Sequence, residues 1–256
     1  QVLDLSSYQT TDMNCDIQSE DLIRLQGQKL KGYENIKMIK PEEFKAASKV
    51  ANFIAQNRKY YSRAANYFRK NFNNNPCPPN ELTCGDLVCR KFDNSFTISK
   101  NGKVMLDIEH PNPYKLLFEG RWWELLVSKS VASWNKAQND DRQIWRSVEF
   151  DQNSQTSKPD MKNEVDILVN VRTKLLFIEC KSGDISQDNI YRFGTVRDTY
   201  GGQMAKAILV TYYPLKEGLY EKAKDSHVDI FDCKANASIL NQFGQFLSEA
   251  LKKKGV

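Results

Sequence analysis

The apolar residues in the first part of the chain follow a helical period and then a strand period. From residue 42 to 72 they recur every three or four positions with Lys and Arg between them, which predicts one long amphipathic helix beginning just after Pro41. This stripe consists of Phe44, Ala47, Val50, Ile54, Tyr61, Ala64 and Phe68. The segment SFTISKNGKVMLD alternates instead and predicts a β-hairpin that turns at Asn101-Gly102.

Weaker patterns flank these two elements. IQSEDLIRLQGQKL, within residues 1–40, predicts one helix, and a short helix is expected at 81–91 after the loop-forming stretch NFNNNPCPPN. A helix or two followed by a hairpin is compatible with a winged-helix module. We therefore interpret residues 41–112 as a linker helix with a smaller winged-helix-like region.

From about residue 115 the pattern alternates between helices and short buried strands. KLLFEGRWWELLVSKSVASW predicts a helix, the segments IWRSVEF, EVDILVNV and KLLFIECKS predict three strands, and ISQDNIYRFGTVRDTY predicts the next helix. Another strand, helix, strand and helix follow. This order predicts an α/β domain with a mixed sheet over residues 113–256.

The composition is that of a folded globular protein, with 40% hydrophobic residues and a net charge of +5. The basic excess permits a polyanionic partner without requiring one. No run of about 18 apolar residues occurs, so no membrane span is expected. The two His argue against a histidine base, and six scattered Cys without paired CxxC spacing favour reduced thiols in the cytoplasm.

The strands EVDILVNV and KLLFIECKS are joined so closely that they predict a tight hairpin turning at Arg172-Thr173. In that register Asp166 lies opposite Glu179 and Glu164 opposite Lys181, and the period of two puts all four side chains on one face. Opposed carboxylates repel each other unless a proton or a cation lies between them. Mg²⁺ binds one or two carboxylates together with waters and phosphate oxygens, so this cluster has the chemistry of a magnesium site.

Simpler explanations remain open for these residues. Strands often end in charged residues because they reach solvent, and Glu164 with Lys181 is equally explained as an ordinary cross-strand ion pair. Glu124, in the helical segment GRWWELLV, would by itself be interpreted as a surface glutamate. Its helix turns Trp122 and Leu125 towards the core, which leaves Glu124 directed at a sheet edge.

Together these residues resemble the PD-(D/E)XK nuclease family, whose α-β-β-β-α-β core matches residues 115–213 in order and length. The resemblance implies a restriction-endonuclease-like fold. It assigns Glu124 as the family's helix glutamate, Asp166 as its metal-binding aspartate, and Glu179 with Lys181 as its (D/E)XK pair.

The chain departs from the family pattern in one place. Val165 replaces the proline of the Pro-Asp dipeptide before Asp166. Pro159-Asp160 also reads PD, but it lies in a polar loop outside the strand, so we do not assign it as the ligand.

The combination of GRWWE, NEVDILV, FIECKSG and DTYGGQMAKAILV resembles more specifically the nuclease domains of CARF-domain effectors in type III CRISPR defence. In that family a cyclic oligoadenylate activates the nuclease through a sensor domain, and the members dimerise, which implies a homodimer. Residues 1–40 are too few for a sensor, and one interpretation is the remnant of an upstream sensor domain. A cyclic oligoadenylate is therefore expected as a partner only if such a domain exists.

The resemblance implies an endonuclease that hydrolyses phosphodiester bonds in DNA or RNA. Glu124, Asp166 and Glu179 would bind Mg²⁺ or Mn²⁺ together with the backbone carbonyl of Cys180. Lys181 would orient the attacking water or stabilise charge in the transition state. Two alternatives remain open: a restriction- or repair-type endonuclease of the same fold, and a module that binds nucleic acid or a protein partner without cutting.

Residues expected to contact the substrate lie around this cluster. Arg192 and Arg197 are on the helix after the site, Lys158 and Lys162 are in the polar loop, and Gln203 follows the Gly201-Gly202 turn. Basic side chains there would contact phosphates without reading bases, although solvated surface charge is an equal alternative. Glu164 is a further candidate, as an outer partner of the site.

Overall fold

The computed structural model describes residues 17–73, 81–138, 142–151 and 163–252. The α-helices are α1 (Ser19–Leu25), α2 (Pro41–Gln56), α3 (Arg58–Asn73), α4 (Pro113–Phe118), α5 (Arg121–Ala137), α6 (Gln187–Gly201), α7 (Glu217–Asp225) and α8 (Phe243–Lys252). The strands are β1 (Leu30–Asn35), β2 (Glu81–Cys84), β3 (Leu87–Lys91), β4 (Ser95–Lys100), β5 (Lys103–Glu109), β6 (Ile144–Phe150), β7 (Glu164–Val171), β8 (Lys174–Lys181), β9 (Lys206–Thr211) and β10 (Val228–Asp232). Short 3₁₀ helices occupy Ile36–Met38 and Ala237–Gln242.

A six-stranded mixed sheet in the order β1-β6-β7-β8-β9-β10 forms the centre of the protein. In this sheet β1, β6, β7 and β8 pair antiparallel with one another in that order. Strands β8, β9 and β10 run parallel because α6 and α7 provide the crossovers. One apolar core lies between this sheet and α2, α5 and α8, and a second lies on the face covered by α1, α6 and α7. The predicted α/β fold with a mixed sheet is thus confirmed.

The edge strand β1 extends the sheet beyond the domain predicted at 113–256. It comes from the N-terminal segment 1–40 and pairs antiparallel with β6. The sequence LKGYEN alternates only weakly, since most of the strand is exposed and its register with β6 shifts twice. A strand that is solvated along most of its length leaves little periodic signal.

A second sheet of four antiparallel strands, β2-β3-β4-β5, shares a core with α2 and α4. The predicted hairpin is confirmed, with its turn at Asn101 (φ 51°) and Gly102 (φ 78°). The helix predicted at 81–91 is wrong, because β2 and β3 form another hairpin there. Leu87 and Cys89 are buried at alternate positions of β3, and so short an alternation is hard to distinguish from one helical turn.

The long helix predicted from 42 to 72 is divided into α2 and α3. The break is at Asn57, which leaves the helical region at φ −132° and ψ 32° and whose side chain donates to the carbonyl of Phe53. An Asn side chain that bonds the backbone of the preceding turn competes with helix continuation. Among the described residues, no helix combines the length and the apolar character that a membrane span requires.

The first prediction concerns the close packing around Gly201 at the end of α6. A Cβ on Gly201 would lie 2.4 Å from the Cβ of Ala205 and 2.5 Å from Cε2 of Phe177. Gly201→Ala should therefore destabilise the protein by about 1–3 kcal/mol through overpacking, as measured by urea unfolding.

Gly218 in α7 is the matched control, since a Cβ there would meet nothing within 4 Å. Gly218→Ala should increase stability by about 0.5–1 kcal/mol. Equal effects of the two substitutions would contradict the packing described at Gly201.

Candidate active site

The hairpin of β7 and β8 has the register that its sequence predicts. The turn residue Arg172 has φ 63°, and the paired residues run from Val171–Lys174 to Ile167–Ile178. Beyond this point β7 keeps its pairing with β6 and β8 keeps its pairing with β9. The two strands therefore part at Asp166, where the sequence places the first opposed pair of carboxylates.

Side chains take over the hydrogen bonds at this opening. The backbone N–H of Cys180 donates to Oδ2 of Asp166 at 2.6 Å, and the Lys181 Nζ lies 2.5 Å from Oε1 of Glu179. The side chains of Glu179 and Lys181 are 17% and 33% exposed. Both are thus held in a half-buried ion pair on the sheet face covered by α6.

Glu164 does not form the cross-strand pair with Lys181 that the register predicts. The parting of the strands separates the two positions, and Lys181 pairs instead with Glu179 on its own strand. Glu164 is exposed and lies across from Glu149 of β6. It remains at the edge of the cluster.

Helix α5 brings Glu124 to the same opening. The helix predicted from 115 onwards breaks at Gly120, whose φ of 86° favours glycine, so that α5 starts afresh with Glu124 in its first turn. The indole Nε1 of the buried Trp123 donates to the carbonyl of Val210, the residue that pairs with Cys180. This bond anchors the start of α5 beside the end of β8.

The electrostatics of these groups show that they interact. Burial, followed by the charges of Glu179 and Glu124, raises the pKa of the Asp166 carboxyl well above its usual value. Burial likewise raises the pKa of Glu124, against the opposing charge of Arg121. The pKa of Lys181 is raised despite its burial, because the Glu179 and Asp166 carboxylates stabilise the ammonium.

The donor set suits a hard divalent cation. Carboxylate oxygens are the ligands that Mg²⁺ and Mn²⁺ prefer, and the charges of Glu124, Asp166 and Glu179 act on one another here. Within residues 17–73, 81–138, 142–151 and 163–252, however, no group of three or more His, Cys, Asp or Glu side chains is already arranged around one metal position. The residues fit a metal in chemistry and charge, while their present contacts are to protein donors.

A cleft of about 90 Å³ adjoins the acids and bears on the predicted substrate contacts. It is lined by Glu164, Glu179, Lys181, Asn189, Arg192, Phe193 and Val196. Of the residues predicted to contact substrate, Arg192 is therefore beside the site. Lys158 and Lys162, like Pro159-Asp160, lie outside the described residues.

Arg197 and Gln203 are not placed as predicted. Arg197 is 6% exposed, and its guanidinium donates to the carbonyl of His227 and pairs with Asp198, so its role is structural. Gln203 is exposed before β9, and β9 runs parallel to β8. The first residue of β9, Lys206, pairs with Leu176, five residues or about 16 Å from Lys181, so Gln203, which precedes β9, lies still further from Lys181, at the opposite end of the sheet.

Two residues beside the site were missed by the sequence analysis. Arg121 lies 3.3 Å from Glu124 through its Nη1 atom, and Asn189 lines the cleft from α6. The spacing of three between Arg121 and Glu124 was a usable signal, since residues at i and i+3 of a helix are neighbours. Nothing in the pattern around Asn189 distinguished it from a helix cap.

Comparisons with known proteins identify the family and the fold. Residues 113–242 match a family model described as Card1-like, endonuclease domain. The fold is shared with VC1899 from Vibrio cholerae (TM-score 0.63, 17% identity, 92% of this chain and 62% of that chain). It is also shared with Can2 from Sulfobacillus thermosulfidooxidans in complex with cyclic tetra-adenylate (TM-score 0.58, 16% identity, 93% and 62%). This chain thus spans 62% of the length of each, and no curated protein matched.

The second prediction concerns the repulsion between Asp166 and the carboxylates of Glu179 and Glu124. Asp166→Asn keeps an oxygen that can accept from the Cys180 N–H and removes one of the converging charges. In EDTA at pH 7.5 it should raise Tm, by about 2–4 °C for each kcal/mol of repulsion relieved. The exposed Asp184 provides the control, and Asp184→Asn should leave Tm unchanged. A lower Tm for Asp166→Asn would show that this carboxylate stabilises the fold.

Proposed function

Because this chain belongs to the family of Card1-like endonuclease domains, we propose that it is a metal-dependent endonuclease that hydrolyses phosphodiester bonds in DNA or RNA. The observation that carries the proposal is the parting of β7 and β8 at Asp166, with Glu179 and Lys181 in the opening and Glu124 beside them. Acids, a lysine and a helix glutamate in this arrangement suit phosphoryl transfer from a polyanionic substrate.

The carboxylates of Glu124, Asp166 and Glu179, with the backbone carbonyl of Cys180, would hold one or two Mg²⁺ or Mn²⁺ ions. A bound cation of this kind supplies Lewis acidity and lowers the pKa of a coordinated water. The proposed ligands are carried by three different elements, α5, β7 and β8.

Lys181 would orient the water or stabilise charge at the phosphate. Its ammonium is kept protonated by Glu179 and Asp166, which raise its pKa, and its half-buried position limits its hydration. A fixed point charge of this kind can stabilise the additional negative charge that develops on the phosphoryl oxygens. Arg192, in the same cleft, would contact a flanking phosphate, and Glu164 would act as an outer partner.

The biological setting is proposed from the relatives. Can2, which shares the fold, was solved with cyclic tetra-adenylate, and this chain spans 62% of it. We place the protein in CRISPR-associated antiviral defence as a homodimer in the cytoplasm. Control by a cyclic oligoadenylate is proposed only for a protein in which a sensor domain accompanies this chain.

A cleavage assay tests the function and makes the third prediction. The wild-type chain should cut supercoiled plasmid, single-stranded DNA or single-stranded RNA with Mg²⁺ or Mn²⁺ and not with EDTA. Glu179→Gln and Lys181→Met should each lower the rate by about 10²–10³-fold, because each removes a group aimed at the reacting phosphate. Lys224→Gln, on the exposed side of α7, is the control and should cut at the wild-type rate.

The same assay distinguishes the alternatives. Binding of nucleic acid without cutting in either metal would favour the module that only binds. Cutting confined to one duplex sequence would favour a restriction-type enzyme. Cutting that both variants retain in full would overturn the assignment of the site.

A further inference from the structure

Arg121, the first residue of α5, links the candidate metal-binding Glu124 of the same helix to strands β6 and β1. Its Nη1 donates to Oγ of Ser147 in β6 at 2.8 Å and lies 3.3 Å from Oε2 of Glu124. Its Nη2 donates to Oε2 of Glu34 in β1 at 3.2 Å. One guanidinium therefore bridges three partners from three elements.

Glu34 is itself fixed by a second guanidinium. Its Oε2 also accepts from Nε of Arg146 at 2.9 Å, and the Arg146 side chain is only 5% exposed. A buried cation is costly unless it is paired, so this bond holds Glu34 in place. Strand β1, which lies outside the residues that match the endonuclease family, is in this way tied to the site.

Ser147 has a backbone conformation that a strand residue rarely adopts. Its φ is 49°, and it lies where the β1–β6 register shifts between Gly32 and Glu34. In the pairing of β6 with β7 it faces the position of Asp166, between the pairs Arg146–Ile167 and Val148–Val165. Bulges that redirect a side chain, and left-handed residues other than glycine, cluster at functional sites.

Two of the three contacts of Arg121 anchor it to strands outside α5. Its guanidinium donates to Ser147 at 2.8 Å and to Glu34 at 3.2 Å, and it lies 3.3 Å from Glu124. The contact involves one oxygen of Glu124. In the described part of the chain, the other oxygen forms no hydrogen bond or ion pair. A guanidinium fixed in this way restricts the rotamers of Glu124 and leaves an oxygen available as a ligand.

We propose that Arg121 is a positioning residue for the Glu124 carboxylate, and that Glu34 and Ser147 keep Arg121 in place, so that strand β1 supports the metal site. This inference rests on the proposed function. Such outer partners of metal ligands typically contribute about 10–100-fold in metal affinity or activity.

The test measures Mn²⁺ binding by calorimetry alongside cleavage, with the metal alone as the probe. Arg121→Gln and Glu34→Gln should each weaken Mn²⁺ binding and lower the cleavage rate, Arg121→Gln by about 10–100-fold. Arg121→Lys, which keeps the charge but loses the fork that bridges three partners, should recover only part of the loss. Lys31→Gln removes another ion pair of β1, with Glu149 at 2.9 Å, and as the matched control should change neither readout.

Ser147→Gly separates positioning from stability. Glycine accepts the left-handed backbone without strain, so the variant should melt at or above the wild-type temperature. It lacks the hydroxyl that holds Arg121, so Mn²⁺ binding and cleavage should nevertheless fall. In the Arg121→Gln background the loss caused by Glu34→Gln should disappear, because both act through one guanidinium.

Several outcomes would overturn the proposal. Arg121→Gln that binds Mn²⁺ as the wild type does, or more tightly, would show that Arg121 is a spectator or a competitor of the cation. Losses that follow the melting temperature across all variants would show a purely structural role. If the wild-type chain neither binds Mn²⁺ nor cuts nucleic acid, the proposed function itself is wrong. If the wild type does both and Arg121→Gln binds Mn²⁺ and cuts equally well, only this inference is wrong.

Discussion

The Asp166 carboxylate accepts the backbone N–H of Cys180 at 2.6 Å, and this hydrogen bond governs how β7 and β8 end. A continued ladder would hold Asp166 and Glu179 about 4.5–5.5 Å apart as directly opposed like charges. The strands part instead, and each retains its outer neighbour, β6 or β9. The Cys180 amide at the interrupted ladder is satisfied by the side chain that interrupts it.

The rest of the protein holds this opening in a fixed shape. Below it, Ile167 and Ile178 are fully buried in the sheet, so the repulsion at the strand ends is opposed by an apolar ladder. Above it, α5 can approach because Gly120 turns the chain with φ 86° and Trp123 bonds the carbonyl of Val210. The acids of the site are thus carried by rigid strands and a helix start, the kind of support that keeps reacting groups in place.

The sequence predicted those parts of the site that depend on local rules. A tight turn and a period of two determine the register of β7 and β8 as far as Ile167 and Ile178, which brings Asp166 and Glu179 to the point where the strands part. It did not predict β1, because an exposed edge strand has little apolar pattern, and with β1 it missed Glu34. Gln203 was misplaced because the direction of β9 relative to β8 is a tertiary property, and the burial of Arg197 depends on the distant carbonyl of His227.

The charges around the opening also constrain how a polyanion could be bound. The carboxylates of Glu124, Asp166 and Glu179 meet the single ammonium of Lys181, while the guanidinium of Arg121 is shared with Glu34. Glu164 adds a further negative charge at the rim of the cleft. Among the residues that the structure describes, carboxyl groups predominate around this opening, which disfavours the binding of a phosphate there. A divalent cation would invert the local sign, since bound cations are often the largest charges in a site. In the proposed reaction, a cation held by these carboxylates would therefore also favour the approach of the phosphate.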